Sequence, residues 1–242
     1  MATPDIAVVI PVFNESGNVI ELADEVTAVA ETVGWNYEVV FVDDASNDDT
    51  WTCIGRAHLK NPRVRGVRHT RNAGQSAALW TGFSHTTAKT LATLDGDRQN
   101  DPRDLPKLFE LLNKVDFACG YRQTRQDSRV RKISSRLARM ARKWVLRSDF
   151  QDTGCAVRVF RRECLDAAFA FNGLHRFMPI LVAGAGFRTC EVPVNHRPRV
   201  AGVSKYGVWN RLGRGLVDLF AIAWYLKRQV HPKLAGDRIP SE

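Results

Sequence analysis

The sequence contains no feature typical of a secreted, membrane-spanning or disulfide-bonded protein. Its longest apolar run near the carboxyl end covers residues 219–226, which is too short to cross a bilayer. No basic segment precedes the first apolar run, so we expect no signal peptide. The five cysteines are scattered and form no C-x-x-C pair, which argues against a disulfide framework and a structural zinc site. These absences favour a soluble or peripheral protein in a reducing compartment.

Three widespread catalytic or nucleotide-binding motifs are missing as well. The absence of G-x-x-x-x-G-K-[ST] argues against a P-loop. The first apolar run is not followed by G-x-G-x-x-G, which argues against dinucleotide binding, and no G-x-S-x-G turn is present to carry a nucleophilic serine.

The composition is that of a folded protein with an excess of positive charge. Hydrophobic residues make up 44% of the 242 residues and charged residues 25%, so we expect a packed core in one large α/β domain. The net charge of +9 favours an anionic partner such as nucleic acid, anionic lipid or a phosphorylated substrate. Charge alone does not choose among them.

Apolar runs and amphipathic segments alternate along the first hundred residues. Strands are predicted at residues 6–10, 37–42, 64–69 and 90–94, with a helix between each pair and with Pro11 ending the first strand. This alternation predicts an α/β fold with a mostly parallel sheet flanked by helices. The loops at residues 11–17, 43–49 and 95–101 then meet at the carboxyl edge of the sheet, where such folds bind ligands.

The second half is less regular. Helices are predicted at residues 105–112 and 175–185, and strands at 117–120, 156–160 and 189–192. The predicted divisions are a catalytic domain over residues 1–207, an amphipathic helix over 208–230 and a flexible tail over 231–242. His175, His196 and His231 are not spaced as a metal cluster, and we expect them to have surface or structural roles.

Acidic residues follow two of the predicted strands. Asp95 and Asp97, separated by Gly96, are placed to face one hard cation, and their oxygens suit Mg²⁺ or Mn²⁺ with a diphosphate completing the coordination. Asp44, after an earlier strand, can accept a hydrogen bond from a base N–H or a ribose hydroxyl. Turn formation with helix capping by Asp48 or Asp49 is the alternative, and both roles can hold.

Six stretches of the sequence, in order, resemble one enzyme family. They are PVFNE (11–15), VDDASNDDT (42–50), RNAGQSAALWTGF (71–83), LDGDRQNDP (94–102), DTGCAVRVFRRE (152–163) and VPVNHRPRVAGVSKYG (192–207). The chain is similar to the inverting GT-A glycosyltransferases of family 2, in the branch of dolichol-phosphate mannosyltransferases and bacterial polyprenyl-phosphate glycosyltransferases. It departs from the family in carrying Phe13 instead of tyrosine, and it lacks the carboxyl-terminal transmembrane helices of many relatives and the Q-x-x-R-W motif of processive synthases.

The resemblance implies a GT-A (Rossmann-like) fold and a role for each matching residue. The nucleotide-sugar residues are Pro11, Asn14, Glu15, Asp44 and Asp95, and the metal and diphosphate ligands are Asp95, Asp97 and Gln99. The acceptor-phosphate residues are Arg122, Arg131, Arg199, Ser204 and Lys205, the last three on a mobile phosphate-binding loop. Those with the most direct part in catalysis are Asp97, Arg122, Arg131 and Lys205.

The implied reaction moves a sugar from a UDP- or GDP-linked donor to a polyprenyl phosphate, with Mg²⁺ or Mn²⁺ as cofactor. An anionic phosphate acceptor needs no general base, whereas a saccharide or protein hydroxyl needs one, for which Asp152 is the candidate. A metal-dependent nucleotidyltransferase is a further alternative, but PVFNESG is not the glycine-rich loop it requires. Nucleic acid is not the expected partner, because carboxylates at the strand ends repel phosphate unless a metal intervenes.

Two segments combine positive charge with an apolar stripe. Residues 122–147 contain ten lysines or arginines and one acid, Asp127. Within this segment and again in the last predicted helix, apolar residues recur at helical spacing, which is typical of helices that lie on an anionic membrane surface. A helix packed on the domain with a solvated basic face is the alternative. We therefore expect a cytoplasmic enzyme, peripheral at the inner face of the membrane; the sequence leaves its oligomeric state open.

Overall fold

The computed structural model describes residues 3–122, 140, 142–198 and 209–229, with side chains from residue 217 onward in the last range. The strands are β1 (Ile6–Val12), β2 (Tyr37–Asp43), β3 (Val64–Arg68), β4 (Thr90–Thr93), β5 (Phe117–Arg122), β6 (Arg158–Arg161) and β7 (Thr189–Val194). The helices are α1 (Val19–Thr32), α2 (Thr50–Lys60), α3 (Gln75–Ser84), α4 (Leu105–Leu111), α5 (Leu174–Gly184) and α6 (Trp209–Arg228). Short 3₁₀ turns occupy Pro102–Asp104 and Arg162–Ala167.

The seven strands form one sheet in the order β3-β2-β1-β4-β6-β5-β7. Every neighbouring pair is parallel except the two that involve β6, which runs antiparallel to both β4 and β5. The predicted mostly parallel, helix-flanked sheet is confirmed. The parallel strands end at the same edge of the sheet, and the loops that carry the predicted site residues follow them there.

The central strands are buried on both faces, because successive side chains point to opposite sides of a strand. Val8 and Ile10 face one apolar cluster, which α1, α2 and α4 cover. Ala7 and Val9 face a second cluster, which α3, α5 and the inner side of α6 cover. The continuous apolar run of β1 therefore serves two cores.

The prediction that Pro11 ends the first strand is wrong. β1 continues to Val12, and Pro11 pairs with Val42 of β2. The side of Pro11 that lacks an N–H faces β4, since Val9 accepts a hydrogen bond from Leu94 on that side and the pattern alternates. β4 pairs with β1 only as far as Val9, so no ladder bond is lost at Pro11.

The apolar side of the last helix is only partly covered by the core. Leu219 and Ile222 are buried in the second core, whereas Val217, Phe220 and Trp224 are 70%, 63% and 64% exposed. The apolar stripe predicted for this helix is therefore covered by the core along one edge and exposed along the other. Within the part of the chain that the structure describes, no helix combines the length and apolarity needed to cross a membrane.

Candidate active site

Backbone strain is concentrated in the loops that follow β1, β2 and β4. Asn14, Ala45 and Arg98 have φ angles of 54°, 61° and 58°, a left-handed conformation that is uncommon for residues other than glycine. One such residue lies in each loop. Strained backbone persists where surrounding contacts hold it, and it clusters at functional sites.

The β1 and β2 loops are joined by hydrogen bonds. The backbone N–H of Asn14 donates to Ser46 Oγ at 2.9 Å, and that of Asn47 donates to Asn14 Oδ1 at 2.9 Å. The N–H of Glu15 donates to Thr50 Oγ1 at 2.8 Å. The structure thus brings the predicted residues Asn14 and Glu15 to the sheet edge beside Pro11, and there they align the two loops.

Asp44 is a buried acceptor at the amino end of α3. Its carboxylate accepts the backbone N–H groups of Ala73 and Gly74 at 2.8 Å and 2.7 Å, and Oδ1 lies 2.7 Å from His69 Nδ1. Unpaired N–H groups and the helix dipole make this end of a helix favourable for a carboxylate. The contact fixes the start of α3 against the β2 loop.

The turn chemistry predicted as an alternative for the β2 loop is also present, on other aspartates. Asp43 Oδ1 accepts from the N–H of Ser46 at 2.9 Å, and its other oxygen pairs with Arg68 at 3.0 Å. Asp48 accepts from the N–H of Thr50 at 3.0 Å, where α2 begins. The acidic residues of this loop therefore have different roles.

The Asp95-Gly96-Asp97 turn packs tightly against the end of β1. A Cβ atom on Gly96 would lie 2.6 Å from Val12 Cγ1 and 3.1 Å from the carbonyl oxygen of Pro11, so only glycine fits. Gln75 Nε2 donates to Asp95 Oδ1 at 2.8 Å. The two carboxylates are thus held on a turn whose position is set by β1 and α3.

The electrostatics of this turn suit a divalent cation. Burial and the nearby carboxylate of Asp97 raise the pKa of Asp95 to about 6, although Arg158 and Arg122 oppose the shift. A cation between the two carboxylates would relieve their repulsion. Among the described residues no group of three or more His, Cys, Asp or Glu could hold a metal. Asp95 and Asp97 therefore offer two hard oxygen donors and leave the other positions to a ligand such as diphosphate.

The third predicted metal ligand, Gln99, connects the acidic loop to a later segment. Its Nε2 donates to the carbonyl of Arg197 at 3.4 Å, and the N–H of Arg197 donates to the carbonyl of Gln99 at 2.8 Å. Arg197 also pairs with Glu25 at 2.6 Å and with Asp101 at 2.7 Å. Gln99 therefore lies beside the turn, and the contact shown for its amide nitrogen is to backbone.

Arg122 lies at the end of β5 and is held by Asp152. Nε and Nη2 of Arg122 donate to the two carboxylate oxygens of Asp152 at 2.7 Å and 3.0 Å. Burial lowers the pKa of Arg122, but the pairing with Asp152 outweighs it and raises the pKa above its ordinary value. Arg131, Arg199, Ser204 and Lys205 lie outside the described residues.

Comparison with known proteins identifies the family of the chain. The sequence model described as Glycosyl transferase family 2 matches residues 7–169. The chain belongs to glycosyltransferase family 2.

Two curated relatives of this family 2 chain are transferases named for polyprenyl phosphates. It is 36% identical over 205 residues to an undecaprenyl-phosphate 4-deoxy-4-formamido-L-arabinose transferase from Aeromonas hydrophila, covering 84% of this chain and 63% of the relative. It is 32% identical over 237 residues to a dodecaprenyl-phosphate galacturonate synthase from Rhizobium johnstonii, covering 94% of this chain and 69% of the relative. The predicted branch is confirmed, and the chain spans about two thirds of the length of these relatives.

Solved structures confirm the GT-A fold of this glycosyltransferase chain. Glucosyl-3-phosphoglycerate synthase from Mycobacterium tuberculosis, in complex with Mn²⁺, UDP and glucosyl-3-phosphoglycerate, has a TM-score of 0.67 at 18% identity, covering 93% of this chain and 80% of that one. A mannosyltransferase from Pyrobaculum calidifontis, in complex with GDP-Man and Mn²⁺, has a TM-score of 0.64 at 22% identity, covering 96% and 67%.

Sequence reasoning missed several residues that shape the site. Gln75 and His69 contact the carboxylates of Asp95 and Asp44, and Arg158 is a buried arginine whose charge acts on Asp95. Gln75 and Arg158 lie within stretches that carried the family resemblance, RNAGQSAALWTGF and DTGCAVRVFRRE. Their location in these stretches could have marked Gln75 and Arg158 as site residues. Their contacts could not be predicted, because the partners lie far away in the sequence.

Proposed function

We propose that this chain is an inverting glycosyltransferase that moves a sugar from a UDP- or GDP-linked donor to a polyprenyl phosphate, using Mg²⁺ or Mn²⁺. The proposed catalytic domain is residues 1–207. The observation that carries the proposal is the pair of carboxylates, Asp95 and Asp97, on the turn after β4, at the same sheet edge as Arg122 at the end of β5.

The donor half of the proposal rests on the charges at the sheet edge. When bound by Asp95 and Asp97, a divalent cation supplies Lewis-acid stabilisation to the departing diphosphate. Asn14, Glu15 and Asp44 hold the loops around the nucleoside position, through the hydrogen bonds described above. Pro11 contributes the carbonyl oxygen against which the metal-binding turn packs.

The acceptor half rests on the contacts made by the carboxylates in the described part of the site, of which Asp44, Asp95, Asp97 and Asp152 are not placed to act as a base. Asp152, the candidate base for a hydroxyl acceptor, has both oxygens bonded to Arg122. Asp44 accepts backbone N–H groups, and Asp95 and Asp97 face the proposed cation. A phosphate acceptor is already anionic near neutral pH, so it needs only positioning by cations such as Arg122, with Arg131, Arg199, Ser204 and Lys205 as further proposed contacts.

The location at a membrane surface is supported by exposed apolar side chains beside cations. Phe220 and Trp224 of α6 are exposed near Lys227 and Arg228. Trp144 is 86% exposed in a helical stretch that also carries Lys143. Aromatic rings at headgroup level and cations near anionic lipid both favour interfacial binding, so we propose peripheral association at the cytoplasmic face.

A donor panel tests the proposal. The purified chain is incubated with UDP- and GDP-sugars, Mg²⁺ or Mn²⁺, and a polyprenyl phosphate, and the products are resolved by mass spectrometry. The expected products are a polyprenyl-phosphate sugar of inverted anomeric configuration and a free nucleoside diphosphate. Release of pyrophosphate indicates a nucleotidyltransferase instead, and transfer to soluble sugars but not to the lipid indicates a hydroxyl acceptor.

Two variants make this assay specific. Asp97→Ala should abolish transfer while the protein stays folded, because it removes one of the two carboxylates proposed to hold the cation, and the hydrogen bond that Asp97 Oδ1 accepts from the N–H of Gln99 at 3.2 Å is local to the turn. Asp24→Asn is the matched control, since Asp24 lies on the surface of α1, where it pairs with Lys60 of α2. Full activity of Asp97→Ala in EDTA-treated buffer would disprove the metal-dependent reaction.

A further inference from the structure

Pro179 lies inside α5 and removes one helical hydrogen bond. The carbonyl of His175 would normally accept from the N–H four residues later, and proline has none. Arg158 fills this gap from β6, because its Nη2 donates to the carbonyl oxygen of His175 at 2.5 Å. Arg158 is only 2% exposed, so the arginine and the proline form a buried complementary pair.

The side chain of His175 continues the network towards the metal-binding turn. Arg176 Nε donates to His175 Nε2 at 3.2 Å, and a guanidinium can only donate. The neutral ring therefore carries its proton on Nδ1 and donates to Ser76 Oγ at 2.7 Å. Ser76 is adjacent to Gln75, whose amide holds Asp95.

Arg158 also continues the network towards Arg122. The same Nη2 donates to the carbonyl of Thr153 at 3.0 Å. Thr153 follows Asp152, the residue that holds Arg122 through two hydrogen bonds. Arg158 therefore touches, through one nitrogen, both the start of α5 and the turn that orients Arg122.

We propose that Arg158 and His175 are positioning residues that fix the metal-binding carboxylate of Asp95 relative to Arg122. The path runs from Asp95 through Gln75 and Ser76 to His175, and from His175 through Arg158 and the 152–153 turn to Arg122. This inference rests on the proposed function, in which Asp95 and Arg122 must be held at a fixed separation around the donor diphosphate.

The composition of the network argues against a role in stability alone. A buried arginine must be stripped of water, and Nε of Arg158 has no partner among the described residues. An apolar residue in place of Arg158, combined with a residue other than proline at position 179, would fill the same space with a smaller desolvation cost. What such a core would lose is a fixed connection between the two sides of the site.

Pro179→Ala is the decisive variant, because it should separate positioning from stability. The new N–H competes with Arg158 Nη2 for the carbonyl oxygen of His175, and the helical hydrogen bond that is gained offsets the contact that Arg158 loses, so the melting temperature should change little. The rate constant kcat should nevertheless fall by about tenfold or more, since small displacements of catalytic groups are costly. Pro106→Ala in the first turn of α4 is the matched control, because it also replaces a proline within a helix but lies outside this network.

A double-mutant cycle tests the path itself. Ser76→Ala and His175→Phe should each lower kcat and weaken Mn²⁺ binding in the presence of UDP, measured by electron paramagnetic resonance. The double variant should lose no more than the worse single variant, because both remove the same link. His58→Phe is the control, since His58 makes a hydrogen bond of the same 2.7 Å length through Nδ1, but to the carbonyl of Val64.

The outcomes distinguish this inference from the proposed function. Wild-type kcat and Mn²⁺ affinity in Pro179→Ala, or kcat losses that multiply in the double variant, would overturn the positioning role. The role would also be overturned if kcat in Ser76→Ala and His175→Phe fell only in proportion to the melting temperature, with the same proportion as in His58→Phe. If the wild-type chain transfers no sugar, the proposed function fails, while the Mn²⁺ affinities of the variants still test the network.

Discussion

Replacing Gly96 by alanine is the sharpest single test of the proposed metal-binding turn. The added Cβ would lie 2.6 Å from Val12 Cγ1 and 3.1 Å from the carbonyl oxygen of Pro11, whereas ordinary contacts of a Cβ begin near 3.4 Å. Val12 is 3% exposed and belongs to the first core, so it has little room to yield. We expect the turn that carries Asp95 and Asp97 to move instead.

The size of the effect follows from the geometry. Relieving the clash requires a displacement on the order of 1 Å, and a misplacement of that size can cost about a hundredfold in rate. The overpacking itself should cost about 1–3 kcal/mol in the free energy of unfolding. The variant should therefore stay folded, bind Mn²⁺ with UDP more weakly and transfer sugar about a hundredfold more slowly.

Two further variants show whether the contact with Val12 is the cause. Val12→Ala in the Gly96→Ala background removes Cγ1 and should recover part of the lost Mn²⁺ affinity, although it also loses buried apolar area. Gly55→Ala in α2 is the control, because its Cβ would meet no atom within 4 Å. That control should leave Mn²⁺ binding unchanged and raise helix stability slightly. Normal Mn²⁺ affinity in Gly96→Ala, measured by calorimetry, would refute the reasoning.

Three other predictions concern the pH response, the acceptor and the membrane. Because burial and Asp97 raise the pKa of Asp95 to about 6, protons should compete with the metal, and Mn²⁺ affinity should fall by up to about tenfold per pH unit below about pH 6; a flat titration across that range would contradict this. Because the pKa of Asp95 is higher in the folded than in the unfolded chain, its ionisation destabilises the metal-free folded protein, fully above about pH 6. This loss of folding stability is recovered as the pH falls from about 6 towards the pKa that Asp95 has in the unfolded chain. Asp152→Asn should lower kcat by about tenfold by loosening Arg122, and it should leave the pH profile of kcat unchanged, whereas loss of the limb due to a base would favour a hydroxyl acceptor. Phe220→Ser with Trp224→Ser should weaken binding to anionic vesicles in a sedimentation assay by about tenfold or more, while Leu59→Ser, at an 85% exposed position on α2, should not; equal effects would refute the proposed membrane face.

The sequence was sufficient where one physical signal dominates. The β-branched apolar runs of β1 and β2 predict strands buried on both faces, and these strands form the centre of the sheet. The position of Asp95 and Asp97 follows from the same reasoning, because a turn after a parallel strand must lie at its carboxyl edge. Strand ends were less predictable, as Pro11 shows, since its tolerance depends on where the neighbouring β4 stops.

The contacts that organise the site depend on distances that no local pattern encodes. Asp44 meets the N–H of Gly74 thirty residues away, and Ser76 meets His175 across 99 residues. The reversed direction of β6 also escaped prediction, although it brings Arg158 beside Thr93 and Cys119 in the middle of the sheet. Local periodicity does not encode such features, because each of them joins elements that lie far apart along the chain.

The amino end of α3 explains why so many predicted site residues depend on one another. The N–H of Gly74 binds Asp44, the amide of Gln75 binds Asp95, and the hydroxyl of Ser76 binds His175. Three consecutive residues thus connect the β2 loop, the turn that carries Asp95 and Asp97, and the start of α5. A rotation of this helix end would disturb all three contacts at once, so we expect Gln75→Ala to weaken both Mn²⁺ and UDP binding, whereas loss of Mn²⁺ binding alone would show that the three contacts act independently.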